Sequence, residues 1–372
     1  MIARRAVLAA CAAAFGCARK KAAGFPGYAF VANEEGQAVA AVDLETFTLA
    51  RRIPVDGRPT AVIAHPARDA VYVLTPDTGA VHEIVASSLA LRRRMRAAGG
   101  AISMRLSADG ETLWLLAGVP PQLVRIDTER LETRARIALP WKPADFDLSR
   151  DGRLCAVSFG VEGAVSIFEP AVARAGAPIR AAKAAGILRF RSDGRHLLVG
   201  DTAENALVIL EAPSGRLVTR LPLAVRPDNL CFKADGGQLF VTGAGMDAVV
   251  VVYPYSTEVA QTILAGHAPG AMAASIGPGD GYLFVANPPS GDVTVVDIET
   301  SRAIAKAAVG ADPGCITVTP DDQFALVLNR GSGNLAVLRI RATAPRRTRS
   351  APLFTVIPVG SRPVSAAVKA VG

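Results

Sequence analysis

The sequence predicts an all-β fold: a β-propeller of four-stranded antiparallel blades, eight by count, closed by one C-terminal strand that joins three N-terminal strands. Three observations carry this expectation. Apolar runs of one type start at Tyr28 (YAFVAN), Val71 (VYVLTP), Leu113 (LWLLAG), Leu154 (LCAVSF), Leu197 (LLVGDT), Leu239 (LFVTGA), Leu283 (LFVANP) and Phe324 (FALVLN), at spacings of 41 to 44 residues. Each period holds four short strands divided by turn residues, as a propeller blade requires. The first copy lacks an inner strand, and the chain ends on a lone strand of that type, PVSAAVKAV, from Pro363 to Val371. Joining the two ends removes the open edges that a linear stack would expose.

In chain order, the first 21 residues stand apart. Arg4 and Arg5 precede an apolar run from Ala6 to Gly16, followed by Cys17 and the basic cluster Arg19, Lys20, Lys21. Eleven apolar residues are too few to cross a bilayer as a helix, which takes about 20. An export signal over 1–16 is expected instead, with 17–27 as a linker and 28–372 as the propeller. The run ending Ala-Phe-Gly-Cys resembles a bacterial lipoprotein signal, although Ala14 stands where that pattern prefers Leu. The resemblance implies a lipidated Cys17, with Cys11 after Leu8-Ala9-Ala10 and ordinary cleavage as the alternatives, and a protein exported to the periplasm or cell surface, held to the membrane through that anchor only.

The unit from Leu283 to Gln323 is the clearest copy. LFVAN and VTVVD are separated by Pro-Pro-Ser-Gly-Asp, a third run follows Glu-Thr-Ser, and CITVT is introduced by Asp-Pro-Gly and closed by Pro-Asp-Asp. The hydrophobic share is 50%, with few aromatics, which suits sheets packed face to face with both faces of their inner strands covered. Cys155, Cys231 and Cys315 fall in strands of different blades without a Cys-x-x-Cys, and read as small core residues.

Net charge is +8, and two of those charges leave with the signal. Arg92, Arg93, Arg94 and Arg96 crowd one outer strand, and Arg339, Arg341, Arg346, Arg347 and Arg349 crowd the last hairpin. They read as charged edges that discourage edge pairing. Neither run carries the interleaved aromatics that single-stranded nucleic acid would need, so nucleic acid is not an expected partner.

The Phe-Val-Ala-Asn runs (Phe30 to Asn33, Phe284 to Asn287), the Val-Val-Asp-Ile-Glu-Thr run (Val295 to Thr300) and the Val-Gly-x-x-Pro approach to the inner strand resemble the YVTN-type β-propeller repeat family. The resemblance covers Tyr28 to Val371. It implies an exported propeller, commonly of seven blades, and is uninformative about activity because the motif is structural. The spacing gives eight blades, with seven as the alternative.

Function in a propeller concentrates at the central channel, so the inner strands are where chemistry is sought. The residue before the Pro that opens each inner strand includes Arg58, Lys142, Arg226 and Arg362, an expected cationic ring at the channel mouth that would attract a carboxylate or phosphate. Two columns further along share a face by strand alternation and hold every charge. Arg105, Asp147 and Arg189 occupy one column in three successive blades, with Asp145 two residues before Asp147. This is read either as an ion network holding blades in register or as a polar pocket, with Asp145 and Asp147 as candidate general bases and Arg105 and Arg189 as anion contacts.

Function is therefore expected to be non-catalytic: a binding or scaffold propeller on the cell envelope, taking an unidentified protein, glycan or small anionic ligand at the mouth. The alternative is a hydrolase similar to the lactone-hydrolysing propellers. Those use channel-facing His, Arg and acidic residues, whereas His65, His82, His196 and His267 sit in unrelated repeat positions here. No metal site and no cofactor are expected; Trp114 and Trp141 are the only tryptophans, and Trp141 next to Lys142 is the one residue placed to cap a flat ligand.

Overall fold

The computed structural model of the protein describes residues 24–277, 281–343 and 352–371. The proposed signal, Cys17 and the arginines at 346, 347 and 349 lie outside the described residues.

Eight four-stranded antiparallel sheets form the blades. Blade 1 is ordered Thr48–Pro54, Ala38–Asp43, Gly27–Asn33, Pro363–Ala370, so the C-terminal strand supplies the inner edge of the sheet that the N-terminal strands begin. Its register pairs Phe30 with Ala367 and Val31 with Ala366. Blades 2 to 8 open on the inner strands Ala61–Ala64, Ala101–Leu106, Asp145–Leu148, Ala185–Phe190, Asn229–Phe232, Met272–Ala274 and Pro313–Val318. The count is eight, and the ring closes as the repeat spacing requires. Just before blade 1, Phe25 is buried among Ala29, Leu44 and Phe324, and its N–H donates to the Leu44 carbonyl at 3.1 Å.

Burial follows strand position. The second and third strands of each blade are covered on both faces and read as unbroken apolar runs, such as Ala248–Tyr253 (AVVVVY). Outer strands alternate: in Glu132–Ala138 (ETRARIA) every second side chain is exposed. A one-residue register shift between third and outer strands recurs in seven blades, for example between Ala41 and Val42 and between Val295 and Val296. It is driven by the preceding turn, where a residue such as Phe47 or Ser301 takes a positive φ. An Asp at the end of the third strand organises that turn. Asp43 Oδ1 accepts the N–H groups of Glu45 and Thr46, and Asp297 Oδ1 accepts that of Thr300. Blade 4 is the exception, with an outer strand reduced to Ile179–Arg180.

The Asn of the repeated Val-Ala-Asn and Val-Leu-Asn runs has a structural task. Asn33 Nδ2 donates to the Val359 carbonyl at 3.1 Å and Asn329 Nδ2 to the Val309 carbonyl at 2.9 Å, each tying its blade to the loop that leaves the preceding one. Cys155 is fully buried, and Cys231 and Cys315 pack beside core clusters, so burial pushes all three thiols upward, Cys231 to about 11. They are core residues of low reactivity.

Candidate functional site

The antiparallel course gives the channel two ends. Loops entering the inner strands gather at the mouth; turns between inner and second strands gather at the opposite, turn end.

At the mouth, three of the four expected cations are already answered by carboxylates. Arg362 Nε lies 2.7 Å from Glu34 Oε2, Arg58 Nη2 lies 3.4 Å from Glu34 Oε1, and Arg226 Nε lies 2.7 Å from Asp228 Oδ1. Lys142 has no carboxylate partner among the described residues. The ring is thus closer to neutral than the sequence column implies. The histidines do not gather in the channel. His267 pairs with Asp247 at the mouth, His65 and His196 sit at the turn end, and His82 is buried in an inner-sheet strand against Thr75. Among the described residues no three His, Cys, Asp or Glu side chains converge as a metal site.

The column read as Arg105, Asp147 and Arg189 does assemble, with Asp145 at its centre. Asp145 Oδ1 accepts from Arg105 Nη2 at 3.2 Å, while Oδ2 accepts from Arg189 Nη1 at 2.6 Å and from the Leu188 N–H at 3.3 Å. Asp147 Oδ2 accepts the Phe190 N–H at 2.9 Å, and its Oδ1 lies 3.6 Å from Arg105 Nε. Strand geometry explains the convergence: Asp145 and Asp147 alternate onto one face of a four-residue strand whose other face buries Phe146 completely.

Arg105 does more than pair. Neighbouring inner strands approach closely around the ring except between blades 3 and 4. Arg105 bridges that wider seam, its Nε donating to the Phe146 carbonyl at 2.6 Å and its guanidinium lying 5.4 Å from the Phe146 ring centroid. Burial pushes the Asp147 carboxyl above the ordinary carboxylate range, and the nearby Asp145 adds to this. Arg105, Arg189 and the Phe190 N–H act in the opposite direction. Asp147 keeps 16% of its side chain exposed, toward the channel, although protein surrounds it on its other sides.

A cavity of about 540 Å³ lies toward the turn end between the inner strands of blades 1 to 4, lined among others by Arg105, Asp147, Ser107, Ser149, Arg150 and Ser365. Arg150, absent from the sequence-derived candidates, is exposed and has no ion-pair partner among the described residues. It falls in the turn after the inner strand, three residues past Asp147, where turn chemistry masked it. The polar cluster therefore faces the turn end, whereas the sequence places the ligand at the mouth.

No protein-family model matches the chain, and no curated protein matches it. Solved structures do. One is described as dihydro-heme d1 dehydrogenase NirN in complex with DHE, at a TM-score of 0.73 and 16% identity, covering 94% of this chain and 76% of that one. Apo AztD from Citrobacter koseri matches at a TM-score of 0.67 and 12% identity over 92% of this chain and 98% of its own. Hydrazine synthase from Kuenenia stuttgartiensis matches at 0.58 and 17% identity over 87% and 98%. At these identities the likeness concerns architecture, and the chain is an eight-bladed β-propeller.

Proposed function

We propose that the chain is a non-catalytic binding propeller of the cell envelope, tethered through Cys17, that takes a small anion such as a carboxylate or phosphate in the turn-end cavity. The observation that carries this reading is Arg150, exposed on the cavity wall with no ion-pair partner among the described residues, beside an Arg105 whose charge Asp145 and Asp147 share. Arg150 is thus the charge left uncompensated there, and the low-dielectric walls concentrate its field. The Ser365 hydroxyl, whose oxygen accepts the Val62 N–H, adds a donor. The NirN structure is described as a complex with DHE, and at 16% identity that ligand is not carried over to this chain.

The test is titration of citrate and of inorganic phosphate followed by calorimetry. Saturable binding that Arg150→Ala weakens at least about tenfold supports the reading. Binding equal in wild type and Arg150→Ala, or none, rejects it.

A hydrolase similar to the lactone-hydrolysing propellers is favoured by one observation, the raised Asp147 carboxyl beside Arg105. In that reading Asp147 takes a proton from water while Arg105 stabilises the oxyanion. Asp145 is the weaker candidate base, because both its oxygens are engaged by Arg105, Arg189 and the Leu188 N–H. Lactone turnover abolished by Asp147→Asn, with the fold intact, would establish it.

A further inference from the structure

A second cavity opens at the mouth, on residues that the turn-end site does not use. A cavity of about 370 Å³ lies between the loop leaving blade 3 and the hairpin of blade 4, lined by Trp141, Lys142, Phe159, Gly160, Val161 and Glu162 among others. Its wall is aromatic. Trp141 is 39% exposed and is held edge-on by the buried Phe159 ring, with centroids 5.7 Å apart and planes at 77°. The other tryptophan, Trp114, is buried, so Trp141 is the one that presents a free face. Val161 is 88% exposed beside it, an apolar side chain with nothing to cover it. At Gly160 a side chain would meet nothing within 4 Å, so that part of the wall is open.

Two opposite charges line this cavity without meeting. Lys142 and Glu162 are both exposed, and neither forms an ion pair with the other or with any described residue. The contrast with the rest of the mouth is informative, since Arg58, Arg226 and Arg362 in the column of Lys142 all have carboxylates. The Lys142 stem runs over Gly118, where an added Cβ would come 3.5 Å from Lys142 Cγ, so its direction is set by packing.

A flat apolar wall with a cation and an anion in the same pocket is complementary to a ring that carries both charges. We propose that this pocket binds a small aromatic zwitterion of the aromatic α-amino acid class, with its ring on Trp141, its carboxylate toward Lys142 and its ammonium toward Glu162. The volume lies near the lower end of small-molecule sites, about 300–1,000 Å³, and suits one or two rings. The ligand's ring packs on Trp141 in an offset or edge-to-face arrangement.

Calorimetry on the full chain with L-phenylalanine, L-phenylalaninamide and N-acetyl-L-phenylalanine tests this. L-Phenylalanine is expected to bind saturably, and the two blocked compounds about fivefold more weakly, as partly exposed charges allow. Lys142→Gln should weaken L-phenylalanine and the N-acetyl compound while leaving the amide unchanged. Glu162→Gln should weaken L-phenylalanine and the amide while leaving the N-acetyl compound unchanged. Both residues are exposed, so neither change threatens folding. Arg150→Ala, at the other end of the channel, should alter none of these, which separates this site from the proposed anion site. Absence of saturable binding at millimolar amino acid overturns the proposal, as does a response to only one of the two substitutions.

Discussion

Arg105 of blade 3 donates its Nε–H to the carbonyl oxygen of Phe146 in blade 4 at 2.6 Å, across the seam where the inner strands stand furthest apart. One side chain there does what backbone proximity does elsewhere in the ring. The same guanidinium meets Asp145 and Asp147, so position and charge are coupled at that point.

Arg105→Ala is therefore expected to destabilise the propeller by about 2–4 kcal/mol, because it leaves a largely buried Asp147 and the Phe146 carbonyl without their partner. Arg105→Lys should restore only part of this, since one ammonium cannot reach a carbonyl and two carboxylates in the guanidinium's planar geometry. Denaturant unfolding checks both. A loss below about 0.5 kcal/mol for Arg105→Ala, within the range of ordinary surface changes, would contradict the bridging role.

Asp147 sets a pH dependence of opposite sign to a typical paired carboxylate. Its folded pKa lies above the unfolded value, so between the two the folded state holds more protons and stability falls as pH rises. The window opens just above the ordinary Asp pKa of about 3.9 and ends at the folded value. Asp147→Asn should flatten the wild-type curve there, and Arg105→Ala should move the Asp147 titration, followed by carboxyl carbon NMR, further upward. A downward movement would show that Arg105 acts on Asp147 chiefly by keeping water out and not through its charge.

The blades were legible in the sequence and the ends of the channel were not. Turn residues and apolar runs are local, and a period near 42 residues repeats them until only a ring can bury them. The Arg105, Asp147 and Arg189 column was legible for the same reason: equal register in successive blades puts equal columns side by side. What escaped depends on distances between blades. Glu34 reaches Arg362 because strand closure brings the two chain ends together, and no pattern near Arg362 announces that carboxylate. Which turns reach the cavity depends on how the inner strands of blades 1 to 4 converge, and that convergence brings Arg150 onto it. Trp141 beside Lys142 is legible in the sequence, but its edge contact with Phe159 and the place of Glu162 on the same cavity depend on the blade 4 hairpin lying against the loop that leaves blade 3.

His65 gives the acid limit. It is 3% exposed at the turn of blade 2, its Nδ1 accepts the N–H groups of Ala67 and Arg68, and the Arg68 guanidinium stands 2.9 Å from Nε2. Burial, then Arg68 and Lys369, hold its pKa below the ordinary value. The folded state binds the proton less readily than the unfolded chain, so stability is complete above about pH 6.5 and is lost as pH falls from there toward the folded pKa. His82 and His196 are shifted the same way, chiefly by burial, and steepen the loss. Replacing His65 with Gln should shallow the slope of unfolding free energy just below about pH 6.5. An unchanged slope would assign the acid limit to the other two.

Closure is the feature on which the whole ring depends, and the C-terminal strand holds it by more than its ladder. Ser365 Oγ accepts the Val62 N–H of blade 2 at 3.1 Å, and Lys369 Nζ donates to the His65 carbonyl at 2.7 Å, so the last strand is tied to the next blade at both ends of the channel wall. Deleting 363–372 should leave Gly27–Asn33 as an open edge and expose Phe30 and Val31, which are fully buried when Ala366 and Ala367 pair opposite them. The truncated chain is expected to lose cooperative thermal unfolding and to associate. A synthetic peptide of 361–372 added in trans should restore both behaviours by completing the sheet. The milder Ser365→Ala should cost about 1 kcal/mol through the orphaned Val62 N–H while the ring stays closed. A truncated chain that unfolds cooperatively as a monomer would mean that seven complete blades hold themselves together without the eighth.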